Sequence, residues 1–331
     1  MKNLPLMLRP SGKDYLWGGS RINDEFEKNI DLSPLAETWE CSTHPDGPSY
    51  VVSGEYAGKS LRDVISMHPE YLGRRSGKIG DLPLLIKFID ARENLSVQVH
   101  PSDKYAKEHE GGQLGKSEMW YVLDATKDAK IIYGFKHDVD METVLEAVEE
   151  GNISNHLQTI DVARNDVFFV QAGTVHAIGA GTLVAEIQEN SNITYRLYDY
   201  DRVDKNGKKR DLHLNKAVDC IDYSKAKEPR QPLRVLNYKP GMASELLCRC
   251  KYFEVYRMLI NTERRQIVKY RADSMSFRVL LCINGCGVIE YETEGGVSEK
   301  MSYYKGDCIF VPAKSVTLNI QGQGQFLDVR G

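Results

Sequence analysis

The chain has 331 residues, a net charge of −4 and a charged fraction of 27% with both signs scattered along it. That length admits one large or two moderate domains, and the charge balance argues against a dedicated nucleic-acid surface. Seven cysteines without a C-x-x-C pair read as reduced packing residues, and no apolar run approaches membrane-spanning length; a soluble cytoplasmic protein is expected.

In chain order, the first helical pattern is Ser60 to His68, with Ser60 as cap, a stripe of Leu61, Val64 and Ile65, and Pro69 as the stop. Apolar, β-rich runs follow at Leu82–Ile89, Leu95–His100, Met119–Leu123 and Lys130–Gly134. Asp140 to Gly151 reads as a second helix, capped by Asp140 and stopped by glycine. Strands are expected again at Val167–Val170 and Thr182–Gln188, a third helix at Leu214 to Tyr223, and a linker at Lys225 to Pro232. Beyond Leu233 the pattern is all β: Phe253–Ile260, Gln266–Tyr270, Phe277–Ile283, Gly287–Tyr291, Asp307–Val311 and Val316–Ile320.

Two segments echo one another. Asn165-Asp166-Val167-Phe168-Phe169-Val170-Gln171-Ala172-Gly173 resembles Gly306-Asp307-Cys308-Ile309-Phe310-Val311-Pro312-Ala313-Lys314, which suggests two related barrels. The same alignment sets Thr317 at the position of His176, and residues 233–331 contain no histidine. The second barrel is therefore expected to bind no metal of this kind and to serve a structural or dimer-forming role.

Metal-ligand chemistry concentrates in the first part. Side chains alternate along a strand, so Gln98 and His100 share a face. His176 follows a similar strand, and Glu118 opens an apolar run, where an unpaired carboxylate is costly to bury. Two imidazoles, a carboxylate and an amide oxygen suit a divalent cation such as Zn²⁺. Blander readings stand beside this one: a strand-end Glu118 in solvent, Lys87 extending its ammonium to water, and Arg196 paired with Asp199 or Asp201. Glu186 lies among apolar neighbours, and Arg196 is suited to stabilising developing negative charge.

Leu82-Pro83-Leu84-Leu85-Ile86-Lys87-Phe88-Ile89-Asp90-Ala91, then Leu95-Ser96-Val97-Gln98-Val99-His100-Pro101, resembles the signature of type I mannose-6-phosphate isomerases, zinc-dependent members of the cupin superfamily. Trp17-Gly18-Gly19 and Glu37-Thr38-Trp39-Glu40-Cys41-Ser42 are similar to the short prokaryotic branch of that family. The resemblance implies a mainly β chain of two cupin-like jelly-roll barrels with a few short helices. Residues 1–232 would form the catalytic metal-binding domain and 233–331 a C-terminal β domain without metal ligands. It implies one Zn²⁺ per chain held by Gln98, His100, Glu118 and His176, with Arg196 as the catalytic arginine. Ser96, Lys87 and Lys116 match positions that contact the sugar phosphate or line the site, and Glu186 matches an acidic site residue. Gly115-Lys116-Ser117-Glu118 departs from the long eukaryotic His-Lys-Pro-Glu, and Leu197-Tyr198 stands where those have Ala-Gly.

The implied reaction interconverts mannose 6-phosphate and fructose 6-phosphate through a cis-enediol, with Glu186 as proton carrier and Lys116 as its competitor. The expected partner is a small-molecule sugar phosphate, with no nucleic acid and no membrane, in a monomer or homodimer. Two other classes remain open at this stage. Two His and a carboxylate also describe a non-haem iron oxygenase, and a metal-retaining sugar-phosphate sensor would need no proton carrier.

Overall fold

A computed structural model describes residues 3–77, 80–203, 206–230, 234–264 and 266–331. The fold is mainly β, as expected, and is organised as three sheets. A six-stranded sheet runs in the order Val167–Val170, Glu118–Ala125, Thr182–Glu189, Leu84–Ala91, Glu37–Cys41, Ser11–Lys13. A five-stranded sheet runs Tyr195–Tyr198, Val97–Val99, His176–Ile178, Lys130–Phe135, Leu157–Asp161. The third sheet has ten strands and contains all the strands that follow residue 234.

The six-stranded sheet is the middle layer. One face sends Ile89, Trp120, Val122 and Val184 against Ile131 and Ile178 of the five-stranded sheet. The other sends Ile86, Phe88, Met119, Tyr121 and Ile187 against Val255, Val279, Phe310 and Leu327 of the ten-stranded sheet. Every residue of Leu84–Ala91 and Thr182–Glu189 is consequently buried, which is why these segments read as unbroken rather than alternating runs. Each fully buried side chain such as Phe88 contributes about 1.5–3 kcal/mol of apolar burial.

Two strands of the ten-stranded sheet come from the N-terminal part: Leu6–Arg9, paired with Cys308–Val311, and Tyr50–Val51 beside it. Strand pairing thus crosses the expected division of the chain. Residues 231–233, where that boundary was placed, lie outside the described residues. The described part of the expected linker is not free, since the Lys225 N–H donates to Asp138 Oδ1 at 2.7 Å and Arg230 bridges Phe168.

Helix Leu61–Met67 is capped as expected, with Ser60 Oγ accepting from the Asp63 N–H; Met141–Glu149 is capped by Asp140 in the same way. The third helix spans only Leu214–Val218, because the chain then turns away and the Asp222 N–H reaches the Gly173 carbonyl. Among the described residues three short α-helices were not anticipated, Arg21–Phe26, Gly73–Ser76 and Asp103–His109, the last capped by Ser102. The two runs Phe277–Ile283 and Gly287–Tyr291 form one strand, Arg278–Glu292, with a register shift between Cys282 and Asn284. Both halves pair with the same long strand, Leu318–Arg330, so the turn residues between them make a bulge rather than a hairpin.

The sequence echo is a structural one. Asn165 (φ 73°) and Gly306 (φ 100°) are both left-handed, as are Gly173 (φ 96°) and Lys314 (φ 55°) eight residues later in each segment. Asp166 Oδ2 accepts from the Ala163 N–H at 3.0 Å, and Asp307 Oδ2 from the Tyr304 N–H at 2.8 Å. The same turn therefore launches the same strand in each barrel. Among the described residues no helix is long and apolar enough to cross a membrane.

Candidate metal centre

Register places two rows of side chains on facing sheets. Across the five-stranded sheet, Gln98 pairs with His176 on one side and Arg196 on the other. Across the six-stranded sheet, Trp120, Glu186, Lys87 and Trp39 stand in consecutive register, and Glu118 lies opposite Gln188 one repeat away. Residues from distant parts of the chain thus meet between the sheets.

At the centre His100, Glu118 and His176 present ligand atoms all within 4.8 Å of one another, and none of the three is more than 1% exposed. His100 Nε2 is 3.4 Å from Glu118 Oε2, and His176 Nε2 is 3.4 Å from Glu118 Oε1. The opposite ring nitrogens are engaged: His100 Nδ1 donates to the Ile193 carbonyl at 2.9 Å and His176 Nδ1 to the Thr174 carbonyl at 2.8 Å. These bonds set the tautomer and aim each Nε2 lone pair at the carboxylate. Among the described residues His100 Nε2 and Glu118 Oε1 have no hydrogen-bond partner despite full burial, and Glu118 Oε2 has only the Lys116 ammonium at 3.0 Å. Orphaned buried acceptors are costly in a protein interior. The donor set, two imidazole nitrogens and a carboxylate, fits a divalent cation between them.

The protonation states agree with that fit. Burial pushes the His100 imidazole down to about 3, with the Lys116 ammonium adding to the effect, and burial lowers His176 as well. Both are neutral at pH 7, the form that can ligate. Burial would raise the Glu118 carboxyl, but Lys116, 3.0 Å away, and His100 outweigh it and hold the group well below its usual range. Gln98 sits at the rim of this triad, its Nε2 3.3 Å from His176 Nε2 and its Oε1 accepting from Ser96 Oγ at 3.3 Å. Ligation by its oxygen calls for the amide turned over.

A chain of alternating charge leads away from the triad. Lys116 Nζ lies 3.9 Å from Glu186 Oε1, Glu186 Oε1 is 3.3 Å from Lys87 Nζ, and Lys87 is 3.5 Å from Glu37 Oε2. Trp120 Nε1 donates to Glu186 at 3.2 Å and Trp39 Nε1 to Glu37 at 2.8 Å. Lys87 does not extend to water: it is 3% exposed and sits over the Trp39 ring, 5.0 Å from its centroid. Burial opposes its charge, but Glu37 and Glu186 push its pKa above the ordinary lysine value. Burial and the Glu118 charge raise the Glu186 carboxyl.

Arg196 is free of the carboxylates first considered for it. Asp199 is taken by Arg202 and Arg210, both at 2.5 Å, and Asp201 by Lys209. Among the described residues Arg196 Nη1 donates only to the Asp211 carbonyl at 3.3 Å and its buried Nε has no partner, and burial lowers its pKa. Glu118 is likewise no solvated strand end, being fully buried. Glu37, Trp39 and Trp120 were not picked out as site residues. Their signal was strand alternation: Glu37 and Trp39 share one face while Thr38 and Glu40 share the other, where Thr38 Oγ1 donates to Glu40.

Residues 6–134 match the family described as phosphomannose isomerase type I, catalytic domain. The Bacillus subtilis (strain 168) protein YvyI is 36% identical over 331 residues, covering 97% of each chain. Mannose-6-phosphate isomerase ManA of the same organism is 40% identical over 255 residues, covering 77% of this chain and 79% of its own. The crystal structure of the mannose 6-phosphate isomerase from Bacillus subtilis superposes with a TM-score of 0.88 at 34% identity, covering 98% of this chain and 99% of that one.

Proposed function

The chain belongs to the type I phosphomannose isomerase family, and on that premise we propose that it is a cytoplasmic enzyme interconverting mannose 6-phosphate and fructose 6-phosphate at a zinc centre. The observation that carries the reading is the buried triad of His100, Glu118 and His176, whose ligand atoms converge within 4.8 Å while both Nδ1–H groups are held by carbonyls. Zinc bound there, with Gln98 as a fourth ligand, would supply Lewis acidity toward the carbonyl and hydroxyl oxygens of the sugar without redox chemistry.

The chain's own residues would do the rest. Moving a proton between C1 and C2 through a cis-enediol needs a base, and Glu186 is the carboxylate next to the triad that binds no metal in this scheme. Two ammonium groups flank it and Trp120 orients it, while burial and the Glu118 charge raise its pKa above the ordinary carboxylate value, as suits a proton carrier. Lys116 lies between Glu186 and Glu118 and is the competing carrier. Arg196, without an anionic partner among the described residues, brings charge that the developing enediolate would meet. Lys87, deep in its carboxylate clamp, lines the site and holds Glu186, while Ser96 lies beside Gln98.

In this proposal residues 1–232 carry the catalysis, and 233–331, with the two N-terminal strands that join their sheet, support the middle layer. The test is a coupled assay of fructose 6-phosphate formation before and after EDTA, then with zinc restored. Loss and recovery of turnover are expected. Turnover untouched by complete metal removal refutes the metal reading, and a fully metallated sample inert toward mannose 6-phosphate refutes the substrate.

A further inference from the structure

A cleft of about 1480 Å³ lies away from the triad. It is lined by residues of the segment from His68 to Gly77, by Lys269 and Arg271, and by the turn from Ala313 to Thr317, whose Ala313 N–H donates to the Tyr71 carbonyl at 2.8 Å. That turn is the second barrel's counterpart of the one that delivers His176 in the first: Lys314 takes the left-handed conformation of Gly173, and Thr317 stands where His176 does.

Four cations converge on the cleft, Arg74, Lys269, Arg271 and Lys314, all of them exposed. Among the described residues none of the four forms an ion pair. Arg74 Nη2 donates to Ser274 Oγ at 2.8 Å and Arg271 Nε to the Ser315 carbonyl at 3.0 Å, which hold each guanidinium by one edge and leave its other N–H groups for a ligand. Two carboxylates, Glu70 and Glu292, also line the cleft, and Glu70 pairs with His68 at 3.1 Å.

Gathering like charges raises their mutual repulsion, and in a chain of net charge −4 composition does not account for it. A phosphate group carries roughly −1.5 to −2 at neutral pH, so two of them match four cations. Arginine forks and lysine ammonium groups are the side chains that recognise such groups. The volume is larger than the roughly 300–1,000 Å³ of an ordinary small-molecule pocket.

We propose that this cleft is a second ligand site, separate from the metal centre, for a small molecule bearing two or more phosphate groups. Nucleoside diphosphates and sugar bisphosphates share that chemistry. Calorimetric titration of the metal-loaded enzyme at low salt with adenosine diphosphate, and separately with fructose 1,6-bisphosphate, distinguishes the two sources by affinity.

Lys269→Ala/Arg271→Ala should weaken binding of the preferred probe at least tenfold and leave isomerase turnover unchanged. Lys314→Ala, a single exposed change, should weaken it by about threefold and serves if the double variant folds poorly. Lys116→Ala, at the metal centre, should leave this binding intact. Absence of binding by either probe, equal affinity in the cleft variants, or loss in Lys116→Ala instead would each overturn the proposal. None of these outcomes depends on which reaction the metal centre performs.

Discussion

Lys87 and Glu186 stand directly opposite one another on adjacent antiparallel strands, ammonium 3.3 Å from carboxylate, with neither residue more than 3% exposed. Glu37 approaches the same ammonium from the other side. One buried lysine therefore serves two buried carboxylates, and removing it takes the cation from Glu37 and leaves Glu186 only the more distant Lys116. Lys87→Met should lower stability by roughly 3–5 kcal/mol, the usual cost of breaking a buried pair. Urea unfolding checks this, and a loss under 1 kcal/mol would show that the charges are not mutually dependent. In any residue that folds, the acid limb of the pH–rate profile should move to higher pH, because Glu186 loses a cation that favours its ionised form.

Glu186→Gln keeps the size and the Trp120 contact while deleting the base. Zinc content should stay at the wild-type level and kcat should fall on the order of 10²- to 10⁴-fold. Metal analysis beside steady-state kinetics reads both. Near-normal turnover would remove Glu186 from the role and transfer it to Lys116.

Metal binding should stabilise the fold, since the ligand atoms are prepared in the folded chain and scattered in the unfolded one. At a thousandfold excess over Kd the gain is about 4 kcal/mol. The melting temperature of the metal-free protein should therefore rise when zinc is added. His176→Ala should lose that rise, having lost one of the three convergent ligands. An equal rise in the variant means that the cation sits elsewhere.

Glu189 predicts a pH dependence of stability independent of the metal. It is 1% exposed, accepts from the Ser117 N–H at 2.8 Å and is hydrogen-bonded to Asp103. Burial, with the Asp103 carboxylate, raises it to about 8, whereas the unfolded chain has the ordinary value of 4.5. Between those limits the folded state holds the extra proton, so stability from this group is complete below pH 4.5 and is lost as pH rises through 8. The slope approaches ~1.4 kcal/mol per pH unit. Wild type and Glu189→Gln compared by urea unfolding between pH 5 and 9 should differ in this slope, with the variant flatter. Parallel curves would show that Glu189 is ionised throughout.

Much of this protein was written locally. Ser60 and Asp140 cap their helices where short polar side chains precede apolar stripes, and strand alternation put Gln98 beside His100. The echo around Asp166 and Asp307 was legible for the same reason: a left-handed residue followed by an aspartate bonding back to the chain is a contact within a few residues. Such features depend on near neighbours, and near neighbours are what a sequence lists.

Other features depended on which strands became neighbours. Lys87 could equally have reached water until the register set Glu186 and Glu37 against it. Arg196 could have paired with Asp199 until Arg202 and Arg210 claimed that carboxylate. The runs after Phe277 could have been two strands until one long partner spanned both. Backbone propensity and alternation act over a few residues and are present in the sequence itself. The partner of a buried charge is set by sheet register between segments tens to hundreds of residues apart, and only the folded chain decides that.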